Sequence, residues 1–160
     1  MCGQQDLSNK IDGSKLKAGI IQARFNREIT DRLLKGALSA LDQAGIPKEN
    51  SIRETVSGSA ELPFLLASFA KSGKFDALIA LGCLIRGETD HYTYIAKFVT
   101  QGIAEVTTRF LIPVGFGVLT VHNQEQALAR SKDDESNLGF QAAMAAMENA
   151  LKRVDKPVKA

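Results

Sequence analysis

The stretch Phe75-Asp-Ala-Leu-Ile-Ala-Leu-Gly-Cys-Leu-Ile-Arg-Gly-Glu-Thr-Asp-His-Tyr-Thr-Tyr-Ile95 decides the fold. Its first half is a nearly unbroken apolar run without Lys, Arg or Glu. A strand reads this way when helices cover both faces of a parallel sheet. The second half changes character. Arg86, Gly87, Glu88, Thr89, Asp90 and His91 form a polar turn, and a helical pattern follows from about Thr89 to Thr108. In an open α/β sheet, ligands bind beyond the carboxyl ends of the strands. A cation, a flexible glycine, a hydroxyl and a histidine meet in that turn, so it is the first candidate site.

The segments on either side repeat the same alternation. Lys17 to Arg24 reads as a first strand, followed by a turn at Phe25 and Asn26. Ile29, Leu33, Leu34, Ala37, Leu38 and Leu41 recur at helical spacing, and Gly45 and Pro47 stop that helix. Ser51 to Ser57 is a second strand, Gly58-Ser59-Ala60 a turn, and Glu61-Leu62-Pro63 opens a helix through Ala70. Proline suits a first helical turn, where its missing N–H costs nothing. Beyond the long helix, Ile112 to Thr120 is a fourth strand and Asn123 to Arg130 a short helix. Ser131 to Ser136 is a charged break. Phe140, Ala143, Met144, Met147, Leu151 and Val154 form one stripe of a last helix, with the methionines read as core filling. The order β-α-β-α-β-α-β-α-α with right-handed crossovers gives a parallel sheet with helices on both faces. All strand-to-helix turns then face one edge, whether or not the protein is an enzyme.

The 160 residues suit one domain with one core. Residues 1–16 read as a mobile tail and 17–155 as the folded domain. A net charge of +2 leaves no broad basic field of the kind nucleic acid selects. No apolar run is long enough for a bilayer, and Met1 to Lys17 lacks the apolar core of a signal peptide. The two cysteines, Cys2 and Cys83, fall in a polar tail and at the end of a central strand. They are poorly placed to pair, so a reducing, cytoplasmic setting is expected.

Each candidate group has a plain reading and a functional one. Thr89, where the long helix begins, is either a helix N-cap or part of a phosphate site at the positive end of the dipole. His91 is one of two histidines. It is either solvated or a proton carrier, since imidazole titrates near neutrality. Arg130 is a surface residue or an anion ligand. Glu61 favours its helix dipole or binds hydroxyls. Phe25 and Phe116 are core or a sandwich for a flat ring. Cys83 reads as a buried strand residue. His122 has no partner at metal-ligand spacing, and neither a G-x-G-x-x-G nor a Walker A motif is present.

Gly82-Cys-Leu-Ile-Arg-Gly-Glu-Thr-Asp-His91 strongly resembles the signature of the lumazine synthase family. Ala23-Arg-Phe-Asn26, Gly58-Ser-Ala-Glu-Leu-Pro63 and Phe116-Gly-Val-Leu-Thr120 with Glu125-Gln-Ala127 resemble its other blocks, in the same order. The resemblance extends from Ala18 to about Leu151. It implies a flavodoxin-like three-layer sandwich with a four-stranded parallel sheet in the order 2-1-3-4. It also implies the penultimate step of riboflavin synthesis, without metal or organic cofactor. There, 5-amino-6-(D-ribitylamino)uracil condenses with 3,4-dihydroxy-2-butanone 4-phosphate. By the same resemblance, Phe25 stacks on the pyrimidine, with Phe116 supplied by a neighbouring subunit. Ser59, Ala60 and Glu61 hold the ribityl chain, and Cys83, Leu84 and Ile85 line the ring pocket. Glu88, Thr89 and Arg130 meet the phosphate, and His91 moves protons. The implied assembly is a homopentamer at least, with decamers, sixty-subunit shells and association with riboflavin synthase within the family's range. Asp133, Asp134 and Glu135 tilt the expectation towards a free pentamer or decamer.

Three positions depart from the family pattern. Asp90 stands where Thr or Pro is frequent, and Ser57 where Pro is common. Asn137-Leu138-Gly139 replaces an Asn-Lys-Gly, so a substrate-holding lysine is missing. That last departure keeps open a second class, a non-catalytic flavin- or lumazine-binding protein on the same fold. A generic FMN-binding flavodoxin fits less well, because an anion site beside a proton carrier does not suit redox tuning of a flavin.

Overall fold

The computed structural model describes residues 10–154; the expectations for the terminal tails fall largely outside them. The strands are β1 (Ala18–Ala23), β2 (Ser51–Val56), β3 (Ala77–Ile85) and β4 (Val114–Val121). The helices are α1 (Arg27–Gln43), α2 (Leu62–Lys71), α3 (His91–Phe110), α4 (Gln124–Ala129) and α5 (Leu138–Leu151). The strands form one all-parallel sheet in the order β2-β1-β3-β4, as expected. Every residue of β1 is buried, and so is β3 up to Cys83.

Alternate residues of the central strands feed two apolar layers. Ile20, Ile79, Leu81 and Cys83 pack with α1 and α5, and Ile21, Leu78 and Ala80 pack with α2 and α3. This double coverage explains why the Phe75 run contains so few polar residues. At its edge of the sheet, β2 exposes Ile52, Arg53, Glu54 and Thr55. Ile11 packs against the α1/α5 layer, the Gly13 N–H donates to the Ala44 carbonyl at 2.7 Å and Leu16 is buried, so packing begins inside the stretch 1–16 that the sequence suggested as a tail.

Some boundaries differ from the sequence expectation. The long helix starts at His91, two residues later than Thr89, because Asp90 takes the cap position. The Asp90 carbonyl accepts the Thr93 N–H at 3.0 Å. At its other end, α3 stops at Leu111, which adopts a left-handed conformation (φ 49°). β4 begins after Pro113, which has no N–H to pair and instead offers its carbonyl to Leu78 N–H at 3.0 Å. The stripe on α5 holds from Phe140 to Met147, all buried. Leu151 is exposed at the last helical position and Val154 lies beyond it, almost fully exposed, so the stripe does not extend that far. Short 3₁₀ turns at Lys48–Asn50 and Ser59–Glu61 were not expected. Among the described residues no helix is long and apolar enough to cross a membrane.

Candidate active site

In the order β2-β1-β3-β4, the chain leaves β1 towards one side of the sheet and β3 towards the other. The crevice between the carboxyl ends of β1 and β3 is therefore the topological switch point, where such sheets bind ligands. A cleft of about 320 Å³ opens there. The turn after β1 contributes Phe25 and Asn26, the turn after β2 contributes Gly58, Ser59 and Ala60, and the end of β3 contributes Cys83, Leu84 and Ile85. Gly87, Thr89, His91, Tyr92 and Ile95 close it from the α3 side.

Local hydrogen bonds hold these turns in place. Asn26 adopts a left-handed conformation (φ 56°), which Asn tolerates better than most residues. Its Nδ2 donates to the Cys83 carbonyl at 2.8 Å, spanning the crevice directly. Phe25 N–H donates to Ser57 O at 3.0 Å, continuing the β1–β2 ladder past the strand ends. The Phe25 ring is left 69% exposed at the rim, an unusual position for a phenylalanine without a ligand to cover it. Ser59 is buried against Gly82 of β3, where a Cβ would lie 2.5 Å from the Ser59 hydroxyl. Glycine at 82 is what lets the second turn sit so close to the central strand.

On the α3 side, the His91 N–H meets Thr89 Oγ1 at 3.5 Å, a long contact that leaves the helix start open. Free N–H groups and the positive end of a twenty-residue helix face the cleft beside the imidazole. Burial pushes the Cys83 thiol up to about 11. It is therefore a wall of the cleft and not a nucleophile. Iodoacetamide at pH 8 is expected to leave Cys83 unmodified in the native chain and to label it once the chain is unfolded. Peptide mapping reads the difference, and rapid native labelling would contradict this placement.

Of the residues singled out in the sequence, Phe25, Ser59, Ala60, Cys83, Leu84, Ile85, Thr89 and His91 come together in the cleft. Four do not line it. Glu61 sits at its edge, with Oε2 accepting the Gly58 N–H at 2.9 Å. Glu88 is exposed in the turn before α3. Phe116 lies on the edge strand β4, paired with Ala80, and remains partly exposed. Arg130 ends α4, with Nη1 donating to the Gln126 carbonyl at 3.1 Å. Sequence reasoning missed Asn26, Tyr92 and Ile95. Ile95 was findable, since helical spacing from His91 puts it on the same face; Tyr92, the next residue, was not.

Fold and site together define a doubly wound α/β protein with a cleft at its switch point, lined by a helix start and a histidine. Residues 15–153 match the family model for 6,7-dimethyl-8-ribityllumazine synthase. The chain belongs to that family, whose members are enzymes of riboflavin biosynthesis.

Proposed function

We propose that this protein condenses 5-amino-6-(D-ribitylamino)uracil with 3,4-dihydroxy-2-butanone 4-phosphate, giving 6,7-dimethyl-8-ribityllumazine, phosphate and water. The carrying observation is the convergence of three distinct surfaces on one cleft: an exposed aromatic face at Phe25, a polar turn at Ser59 and Ala60, and a helix start with Thr89 and His91. The pyrimidine lies against Phe25 and the β3 end, within reach of backbone groups at Cys83, Leu84 and Ile85. The ribityl hydroxyls follow the Ser59–Glu61 turn. The phosphate sits at the start of α3, on main-chain N–H groups near Glu88 and on the Thr89 hydroxyl. A carboxylate repels phosphate, so Glu88 acts there through its backbone. The reaction needs proton transfer at imine formation, at phosphate loss and at ring closure, and His91 is placed to supply it.

Mixing both substrates with the protein and following lumazine fluorescence tests this reading. Absence of product, with tight binding of preformed lumazine, would instead support the non-catalytic binder. One observation favours that alternative: Leu138 is half-buried against the core and offers no cation to a phosphate.

Arg130 is the remaining cation proposed for the phosphate. Arg130→Ala is expected to raise KM for the butanone phosphate by ~10–100-fold, the equivalent of about 1.5–3 kcal/mol for a hydrogen bond to a charged group. Calorimetry should show binding of the ribitylaminouracil nearly unchanged. Equal loss for both substrates would assign Arg130 a different role.

Arg130 and Phe116 do not line their own chain's cleft, so the complete site is proposed to form between subunits of a homopentamer. An apolar groove of about 740 Å³ between α2 and α3 gives such a ring a face to cover. Phe64 and Phe98 stand 77% and 58% exposed along it, which is more than a free monomer surface usually offers at one place.

A further inference from the structure

The segment that begins at Arg130 is tied down by one buried amide. Asn137 is 1% exposed. A carboxamide has two N–H donors and two acceptor positions on its oxygen, and here all are used. Nδ2 donates to the Arg32 carbonyl of α1 at 3.0 Å and to the Lys132 carbonyl at 2.9 Å. Oδ1 accepts the Gly139 and Phe140 N–H groups of α5 at 2.8 and 3.3 Å. The neighbouring Leu138 N–H donates to the Arg130 carbonyl at 2.9 Å. Arg32 Nε adds a bond to the Ser131 carbonyl at 3.1 Å. Carbonyls at 130, 131 and 132 are thus each bonded from α1 or from the start of α5.

The packing around this amide leaves no slack. A Cβ on Gly36 would collide with the Asn137 carboxamide, and one on Gly139 with the Leu33 carbonyl oxygen. The exposed Lys35–Asp133 ion pair lies nearby but adds little, since both groups remain in water. The segment could have been a loose charged loop, as its sequence suggests. Instead it is bracketed by hydrogen bonds to two helices.

We propose that Asn137 is a positioning residue for Arg130. It fixes the backbone under the guanidinium so that the phosphate meets an oriented cation with little motion left to freeze out. The inference rests on reading Arg130 as the phosphate ligand. Leu138 supplies no cation on this side, so the placement of Arg130 matters more here than where a lysine shares the task. The plainer role, capping α5, uses only Oδ1. The donors to Arg32 and Lys132 contribute nothing to a cap.

Asn137→Asp separates the two roles. Aspartate caps a helix as well as asparagine does, but it has no N–H for the two carbonyls. Steady-state kinetics on the full chain would compare the wild type, Asn137→Asp, Arg130→Ala and the double variant. Asn137→Asp is expected to raise KM for the butanone phosphate about tenfold, on the scale a misplaced group far from the chemistry can cause. KM for the ribitylaminouracil should stay near its original value. Added to Arg130→Ala, the substitution should change KM no further. An equal effect in both backgrounds would overturn the proposal, because Asn137 would then act through something other than Arg130. If Arg130→Ala alone leaves the phosphate KM unchanged, the parent reading fails first, visibly and independently of Asn137, and the proposal falls with it. If Asn137→Asp does not fold, Arg32→Met removes the side-chain tether to Ser131. It should reproduce the same pattern at smaller size, and an unchanged phosphate KM would count against the bracket.

Discussion

Replacing His91 by alanine is expected to slow the condensation by ~10²–10⁴-fold, the contribution of a well-placed general acid–base. His91 is the first residue of α3 and lines the cleft, with its backbone N–H meeting the Thr89 hydroxyl. A phosphate bound at that helix start would put its leaving oxygen beside the imidazole. The carbonyl that forms the imine lies a few bonds away in the same substrate. One proton carrier can then serve successive steps without moving. Since His91 is exposed and the helix cap is Asp90, the substitution should leave folding intact. Single-turnover rates across neutral pH are the measurement. The variant should be slower throughout that range, with KM for each substrate changing far less than kcat. Equal rates in both proteins would remove His91 from the mechanism. If the uncatalysed condensation is itself fast, it sets the floor to which the variant falls.

How much of this was legible beforehand depended on the length scale of each feature. The Ala77–Ile85 strand was readable because double burial leaves no polar position in it. The shared edge of the strand-to-helix turns followed from connectivity, and with it the grouping of Phe25, Ser59 and the β3 end; the switch point needed the strand order, which only the resemblance supplied. The start of α3 was misplaced because Glu88, Thr89 and Asp90 can all serve at a helix entry, and only the backbone decides among them. Tyr92 and Ile95 were passed over because they read as ordinary helix residues beside a polar turn. Asn137 was invisible for another reason. It looked like one letter of an altered tripeptide, while its defining partner, Arg32, is 105 residues away. Phe116 and Arg130 are a third case. The resemblance assigned them to the site, yet a single chain keeps them out of the cleft, and nothing in spacing or periodicity carries that fact.

Mixing two impaired variants, assayed with butanone phosphate well below the KM of Arg130→Ala, is expected to restore activity, and this is the sharpest test of a shared site. His91→Ala subunits lack the proton carrier but keep Arg130 and Phe116. Arg130→Ala subunits have the converse defect. If each site takes His91 from one subunit and Arg130 from its neighbour, a ring of mixed composition rebuilds intact sites. In random equal mixing about a quarter of the interfaces of a closed cyclic ring pair an intact His91 with an intact Arg130. Denaturing the variants together and refolding them should therefore recover up to that share of wild-type activity, where neither variant refolded alone recovers it. No recovery, with mixed rings demonstrated by native mass spectrometry, would place both residues in the same subunit's site. The α2/α3 groove supplies the companion test. Phe98 lines that groove and does not line the cleft. Phe98→Asp puts a charge where a neighbour would have to desolvate it, so the ring should fall apart and activity with it. An active monomer would refute the shared site at once. Ring-to-ring assembly is a separate question. Lys35 already pairs with Asp133, so one of the three carboxylates of the acidic break is partly offset. A free pentamer or decamer remains the expected particle in low salt. Larger particles should appear in high salt if screening of those carboxylates is what limits growth. Analytical ultracentrifugation distinguishes the cases, and a sixty-subunit particle in low salt would show that these carboxylates do not set the size.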